Sequence, residues 1–303
     1  NLEEAGENLE ALETAGEAAI EKFIKDNIMS TLKKNRHRYF NIQSGALAMY
    51  SPKYLAMINN IQRAPGLVLV YSYFLTMVGL NMFSLALEET GEWAPFEIKK
   101  MDGLWYLISG NPEFDEEGKT KKAADGKKMK YYVYYTGKET VEYRNIVKNI
   151  YNSEFDALSD DCKPLKEALR KLYKGDENLH GNVIKMLMTT VTGAEGLDLK
   201  NVRSIHVTEP YWQPVLIDQV IGRGMRNRSH VRLPPEERNV EVFIYMASIP
   251  SGLLTKITQP NVRADVAKYN DGLSMKGNVV SSDEALYILS EHKKVIAQQM
   301  LHI

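Results

Sequence analysis

Ala64-Pro65-Gly66, then Leu67-Val68-Leu69-Val70-Tyr71, is a turn followed by an unbroken apolar run. A strand with one wet face alternates apolar and polar residues. An uninterrupted short run bounded by turn residues reads instead as a strand buried on both faces, the pattern of a parallel sheet. Upstream, Ser51-Pro52 starts a helix, the serine capping and the proline filling the first helical position, with Leu55, Ile58 and Ile61 on its apolar face. Downstream, a long helix is expected from about Tyr73 to Thr90.

The same alternation continues along the chain. Val133-Tyr134-Tyr135 precedes a helix near Thr140 to Tyr151; Val183 to Thr190 and Ser204 to Val207 are strands; a helix starts at about Pro214; Val240 to Ala247 is a further strand. Strands alternating with helices imply a parallel sheet covered on both faces. The expected architecture is a doubly wound α/β domain over residues 50–255, with an interruption at about 93–130 read as a surface insertion. A helical linker occupies 1–49, and a loop and helix occupy 256–303.

The extensions carry their own signals. Residues 1–21 hold seven glutamates and no base, and Leu2, Ala5, Leu9, Leu12, Gly16, Ala19 and Phe23 recur at helical steps. Lys119 to Lys130 contains six lysines and one aspartate, a solvated stretch that leaves phosphate contact open. Ser281-Ser282-Asp283-Glu284 has capping-box spacing, and a terminal helix with Leu289, Ile296, Met300 and Ile303 on one side follows. The chain stops inside that pattern, as a fragment would.

Composition narrows the function. The 303 residues are 44% hydrophobic and 25% charged, as in soluble globular proteins. Net charge is −1, from 38 basic and 39 acidic side chains, so any nucleic-acid contact is a local groove and not a basic surface. A lone cysteine, Cys162, rules out an intrachain disulfide and suits a reducing, intracellular setting. No apolar run reaches the ~18 residues of a membrane span, and the acidic N-terminus is unlike a secretion signal. Six scattered histidines and one cysteine give no metal-ligand spacing.

Two segments carry chemistry. In Gln219-Val220-Ile221-Gly222-Arg223-Gly224-Met225-Arg226, helical spacing puts Gln219, Arg223 and Arg226 on one face, and Ile217, Val220, Ile221 and Gly224 on the other. The two glycines inside this helix, Gly222 and Gly224, cost about 1 kcal/mol each relative to alanine, which makes sense where another backbone or a ligand comes close. Two arginines aimed one way suit a polyphosphate. Upstream, Thr189-Thr190-Val191-Thr192-Gly193-Ala194-Glu195-Gly196-Leu197-Asp198 begins at the end of an apolar strand, where α/β proteins bind ligands. Gly193 and Gly196 admit a phosphate or sugar, and Asp198 can accept from a ribose hydroxyl.

Gln219–Arg226 resembles helicase motif VI, Thr190–Leu199 motif V, and Leu67–Ser72 motif IV. Tyr135-Thr136-Gly137-Lys138-Glu139 resembles the segment that follows motif IV. Glu209-Pro210-Tyr211-Trp212-Gln213-Pro214 is similar to the Swi/Snf-like branch of superfamily 2. The fuller resemblance is to helicases of nucleocytoplasmic large DNA viruses, of the poxvirus nucleoside triphosphatase I and early transcription factor small subunit type, over residues 50–303. It implies the second RecA-like domain of an ATP-dependent helicase or DNA translocase. In that reading Arg223 and Arg226 are arginine fingers and Gln219 meets the γ-phosphate or its water. Gly196, Asp198 and Gly222 lie against the nucleotide, with Asp198 on the ribose. Thr190, Gly193 and Ser72 meet the nucleic-acid backbone.

The departures matter equally. Gly118-Lys119-Thr120 has Glu113 where a phosphate loop needs glycine, and Asp283-Glu284-Ala285-Leu286 opens a helix instead of ending a strand. Motifs I, II and III are absent, so ATP and Mg²⁺ would be held mainly by a first RecA-like domain outside this chain, and this chain alone would be inactive. The implied partners are that first domain, duplex DNA and a viral RNA polymerase, in a viral factory or virion. The alternative is a non-catalytic nucleic-acid- or protein-binding module with a RecA-like shell.

Overall fold

The computed structural model describes residues 17–76, 79–109, 129–173, 177–249, 266–268 and 279–301. The acidic repeat at 1–16, the lysines at 119–128 with Gly118-Lys119-Thr120, and most of the 250–278 loop lie outside the described residues.

Three helices lead in: α1 (Glu17–Lys34), α2 (Arg36–Phe40) and α3 (Ala46–Tyr50). The next, α4 (Pro52–Arg63), begins where the sequence indicates, with the Ser51 hydroxyl accepting from the Tyr54 amide at 3.4 Å. Strand β1 (Leu67–Tyr71) follows, every residue buried. Then come α5 (Leu80–Glu89), β2 (Trp93–Pro95), the hairpin β3 (Ile98–Met101) and β4 (Leu104–Leu107), β5 (Lys130–Tyr135), α6 (Val141–Tyr151) and α7 (Lys163–Tyr173). Strand β6 (Met186–Thr189) leads to a single turn, α8 (Val191–Ala194), and β7 (Val202–Val207) to α9 (Pro214–Gly224). Strand β8 (Glu241–Ile244) closes the main sheet, followed by the pair β9 (Val266–Lys268) and β10 (Val279–Ser281) and by α10 (Ser282–Leu301).

The main sheet has six parallel strands in the order β2-β5-β6-β1-β7-β8. Alternation along each strand divides its side chains between two cores. Leu67, Leu69, Tyr71, Val133, Leu187 and Ile205 face α6, α7 and α9. Val68, Val70, Tyr132, Met186 and Met188 face α4 and α5. This is the doubly wound α/β sheet expected of a RecA-like domain. The chain leaves β1 toward one edge of the sheet and leaves β7 toward the other, so the crevice at their C-terminal ends is a topological switch point.

Three expectations need correction. The helix after β1 is shorter than Tyr73–Thr90 because half-buried Glu209 captures the loop first: the Ser72 hydroxyl donates to it at 2.8 Å, and the Tyr73 amide also donates to it. The segment from residue 93 does not stand clear of the domain. Trp93 is in the sheet, and Trp105 and Leu107 are buried on the hairpin. The arginine helix α9 stops at Gly224, so Arg226 and Arg228 are off it, and Arg228 has φ 60°. The Leu199 amide takes the Arg223 carbonyl at 3.2 Å, and a turn from Arg226 to Ser229 carries the chain away. By contrast, the capping box forms as read. The Glu284 amide donates to the Ser281 hydroxyl at 3.1 Å, and the Ser281 amide to the Glu284 carboxylate at 2.8 Å.

Candidate functional site

The segments singled out in the sequence converge on the C-terminal edge of the sheet. Apolar packing fixes the arginine helix: Ile217 and Val220 are buried against the sheet, and a Cβ on Gly224 would lie 3.0 Å from Ile205 and 3.4 Å from Val202. Gln219 and Arg223 are four residues apart on the outer face. Neither side chain has a hydrogen-bond or ion-pair partner among the described residues. Gly222 is exposed, with nothing within 4 Å of a Cβ built on it.

Between this helix and the turn after β6 lies a cavity of about 60 Å³, lined by Tyr71, Val191, Ala194, Glu195, Gln219 and Arg223 among others. That volume suits water and is far below a nucleotide-sized pocket. The Tyr71 hydroxyl is buried without a partner among the described residues. Burial, with Glu209 and two neighbouring tyrosines, raises its pKa far above the ordinary value.

An ion pair joins the two motifs. Arg226 reaches Asp198 at 3.4 Å, and both side chains are partly exposed. The turn places Arg226 there even though it has left the helix. The Asp198 carbonyl accepts from Asn152 at 2.9 Å, and the Lys200 amide donates to the same asparagine at 2.9 Å, which fixes the backbone on either side of Leu199. Gly196 has φ 69° and open space around it, as a glycine in contact with a ligand requires.

The remaining expected contacts are differently placed. Gly193 turns inward: a Cβ there would lie 2.0 Å from the Tyr135 carbonyl oxygen, so the glycine serves strand-to-turn packing. Thr190 is 8% exposed, at the start of the α8 turn. Ser72 is fully buried with its hydroxyl held by Glu209, and as placed it offers no group to a phosphate.

Sequence reading missed Glu209. Burial raises its pKa, while the bonds from Ser72 and Tyr73 and the charge of Lys53 work against that rise. The signal was available: a single acid just past an apolar strand, at the ligand-bearing edge. Beside it Tyr73 stacks on Tyr211 at 4.8 Å between ring centroids, and Trp212 lies 6.0 Å from Tyr211, forming a half-exposed aromatic ridge. Among the described residues no group of three or more His, Cys, Asp or Glu side chains is placed to hold a metal. No described helix is long and apolar enough to cross a membrane.

Residues 119–228, a span that includes β5 and the arginine helix, match the helicase conserved C-terminal domain. The termination factor NPH-I homolog of African swine fever virus (isolate Warthog/Namibia/Wart80/1980) is 34% identical over 221 residues, which is 67% of this chain and 28% of that protein. The nucleoside triphosphatase I of Melanoplus sanguinipes entomopoxvirus is 30% identical over 114 residues, 38% of this chain and 18% of that protein. A solved structure, the C-terminal part of the Fun30 ATPase domain, aligns with 64% of this chain and 40% of its own at 12% identity and a TM-score of 0.34. The chain thus spans little more than a quarter of the length of the African swine fever virus relative.

Proposed function

We propose that this chain, whose residues 119–228 match the helicase conserved C-terminal domain and which is similar to an NPH-I homolog and a nucleoside triphosphatase I of DNA viruses, is the second RecA-like domain of an ATP-dependent DNA translocase or helicase. Arg223 carries the reading. A guanidinium cannot lose its charge, and this one has no counter-ion among the described residues. It stands beside exposed Gln219 on a helix fixed by its buried face. That arrangement suits an anion arriving from outside the domain.

The residues fit one side of a nucleotide only. Arg223 and Gln219 face its terminal phosphates, exposed Gly222 leaves room for close approach, and Asp198 and Gly196 lie toward the ribose. Arg226 is the second finger, released from Asp198 when the site closes. Bound Mg²⁺ would offset phosphate charge, and no acidic cluster in the described residues provides for it; ATP and Mg²⁺ are held mainly by a first RecA-like domain. Pre-positioned arginines stabilise charge that develops as the phosphoryl bond breaks. Thr190 and the turn around Gly193 meet the nucleic-acid backbone, so affinity falls with salt and varies little with sequence. The proposal extends to a setting in viral transcription, beside a viral RNA polymerase in a factory or virion; that a similar protein is named a termination factor supports it.

The test compares ATP hydrolysis by this chain and by the complete protein, with and without duplex DNA. The chain alone is expected to be inert and the complete protein DNA-stimulated. DNA-stimulated turnover by the chain alone, above a Thr190→Ala/Arg223→Ala control, refutes the half-motor reading. A complete protein that binds DNA without hydrolysing ATP supports the binding-module alternative.

A further inference from the structure

The C-terminal helix α10 belongs to none of the recognised motifs, yet it is tied to the functional edge at three points. In its first turn, Asp283 accepts from Lys53 at 2.8 Å and from the Ala247 amide at 2.8 Å. Three turns on, the Lys293 ammonium sits 3.9 Å from the centre of the Trp212 ring. Beside it Lys294 pairs with Asp218 of the arginine helix at 3.3 Å. Beyond Lys294 the contact ends: Val295, Ile296, Met300 and Leu301 are exposed. Adjacent lysines thus hold the aromatic ridge and the arginine helix.

The arginine helix needs such a hold. Its inner face is fixed by Ile217, Val220 and Gly224, an apolar contact that resists lifting more than rolling. A roll of about 10° moves a side-chain tip some 6 Å from the axis by about 1 Å. A misplacement of that size can lower a rate by as much as ~10²-fold. Asp218 precedes Gln219, on the outer side where a tether opposes roll. The Lys294 ammonium also lies 3.5 Å from the Glu291 carboxylate of its own helix, so it bridges α10 and the arginine helix. Burial lowers the Lys294 pKa, but the bond to Asp218 and the nearby Glu291 outweigh that and keep it charged.

We infer that Lys294 is a positioning residue for ATP hydrolysis, acting through Asp218 to set the rotation of the helix that bears Gln219 and Arg223. The inference rests on the arginine-finger reading above. Both partners are partly exposed, so the pair adds little to stability and its loss should appear in rate.

The test uses the complete ATPase. Lys294→Glu is expected to lower kcat about tenfold with KM for ATP within about twofold, since the arginines act in the transition state. Combining it with Asp218→Lys restores the opposite pair and should return kcat to within about threefold of wild type. Melting of this chain serves as the structural control, and Lys294→Glu should leave it within about 2 °C. Failure of the reversed pair to restore kcat overturns the inference. So does a wild-type kcat in Lys294→Glu when Arg223→Ala has lost activity, and in that case the proposed function stands. If Arg223→Ala itself turns over normally, the arginine reading falls and the inference falls with it.

Discussion

Replacing Gly222 with alanine separates a glycine kept for packing from one kept for a visitor. The residue lies inside α9, and a Cβ there would meet nothing within 4 Å, so no clash opposes the change. Alanine is favoured over glycine in a helix interior by about 1 kcal/mol, and a position two residues from the helix end realises roughly half of that or more. The expected gain is therefore about 0.5–1 kcal/mol, or a Tm rise of about 1–3 °C for a domain of this size. Urea and thermal unfolding of the chain measure it. On the proposed function, the same methyl should cost ATPase activity in the complete protein, because it would fill the space through which a nucleotide or the first domain would approach Arg223. Loss of activity together with gained stability is the signature of a functional glycine. If Gly222→Ala destabilises the chain, the geometry of the helix is misread; if it stabilises the chain and leaves kcat and KM unchanged, nothing approaches there.

Arg223→Ala in the complete protein is expected to lower kcat by a factor on the order of 10² or more with a smaller change in KM, and Arg223→Lys to rescue poorly; steady-state kinetics decide. Gly193→Ala should destabilise the chain by roughly 1–3 kcal/mol in urea, because its Cβ would press on the Tyr135 backbone. His206 is fully buried, stacked on Phe243 and hydrogen-bonded to Tyr245 at 2.7 Å, and burial pushes its pKa down to about 3. The unfolded chain therefore takes up a proton below about pH 6.5 that the folded chain refuses until about pH 3, so stability falls across that window, by on the order of 1–2 kcal/mol at pH 5. His206→Asn should flatten that slope in unfolding titrations, and an unchanged slope would put the acid sensitivity elsewhere.

Much of the fold was legible because its cause is local. The Leu67–Tyr71 run, the Ser51-Pro52 start and the Ser281–Glu284 box record burial or capping within a few residues, and each stands where the sequence puts it. The alternation of strands and helices implied a parallel sheet for the same reason. Spacing alone likewise brought Gln219 and Arg223 together on one helix face.

What the tertiary structure decided concerns groups far apart in the chain. Glu209 lies 137 positions from Ser72, yet by binding the end of β1 it shortens the following helix and buries a residue expected to touch nucleic acid. The arginine helix ends at Gly224 because strand β7 packs against it and Leu199 takes the Arg223 carbonyl. Helical periodicity could therefore not locate Arg226, and only the turn beyond the helix brings it to Asp198. Gly193 and Gly222 look alike in sequence, but one presses on a backbone carbonyl and the other faces open space. A glycine's spacing records that room is needed; only the packed chain shows whether its own backbone or something from outside takes that room.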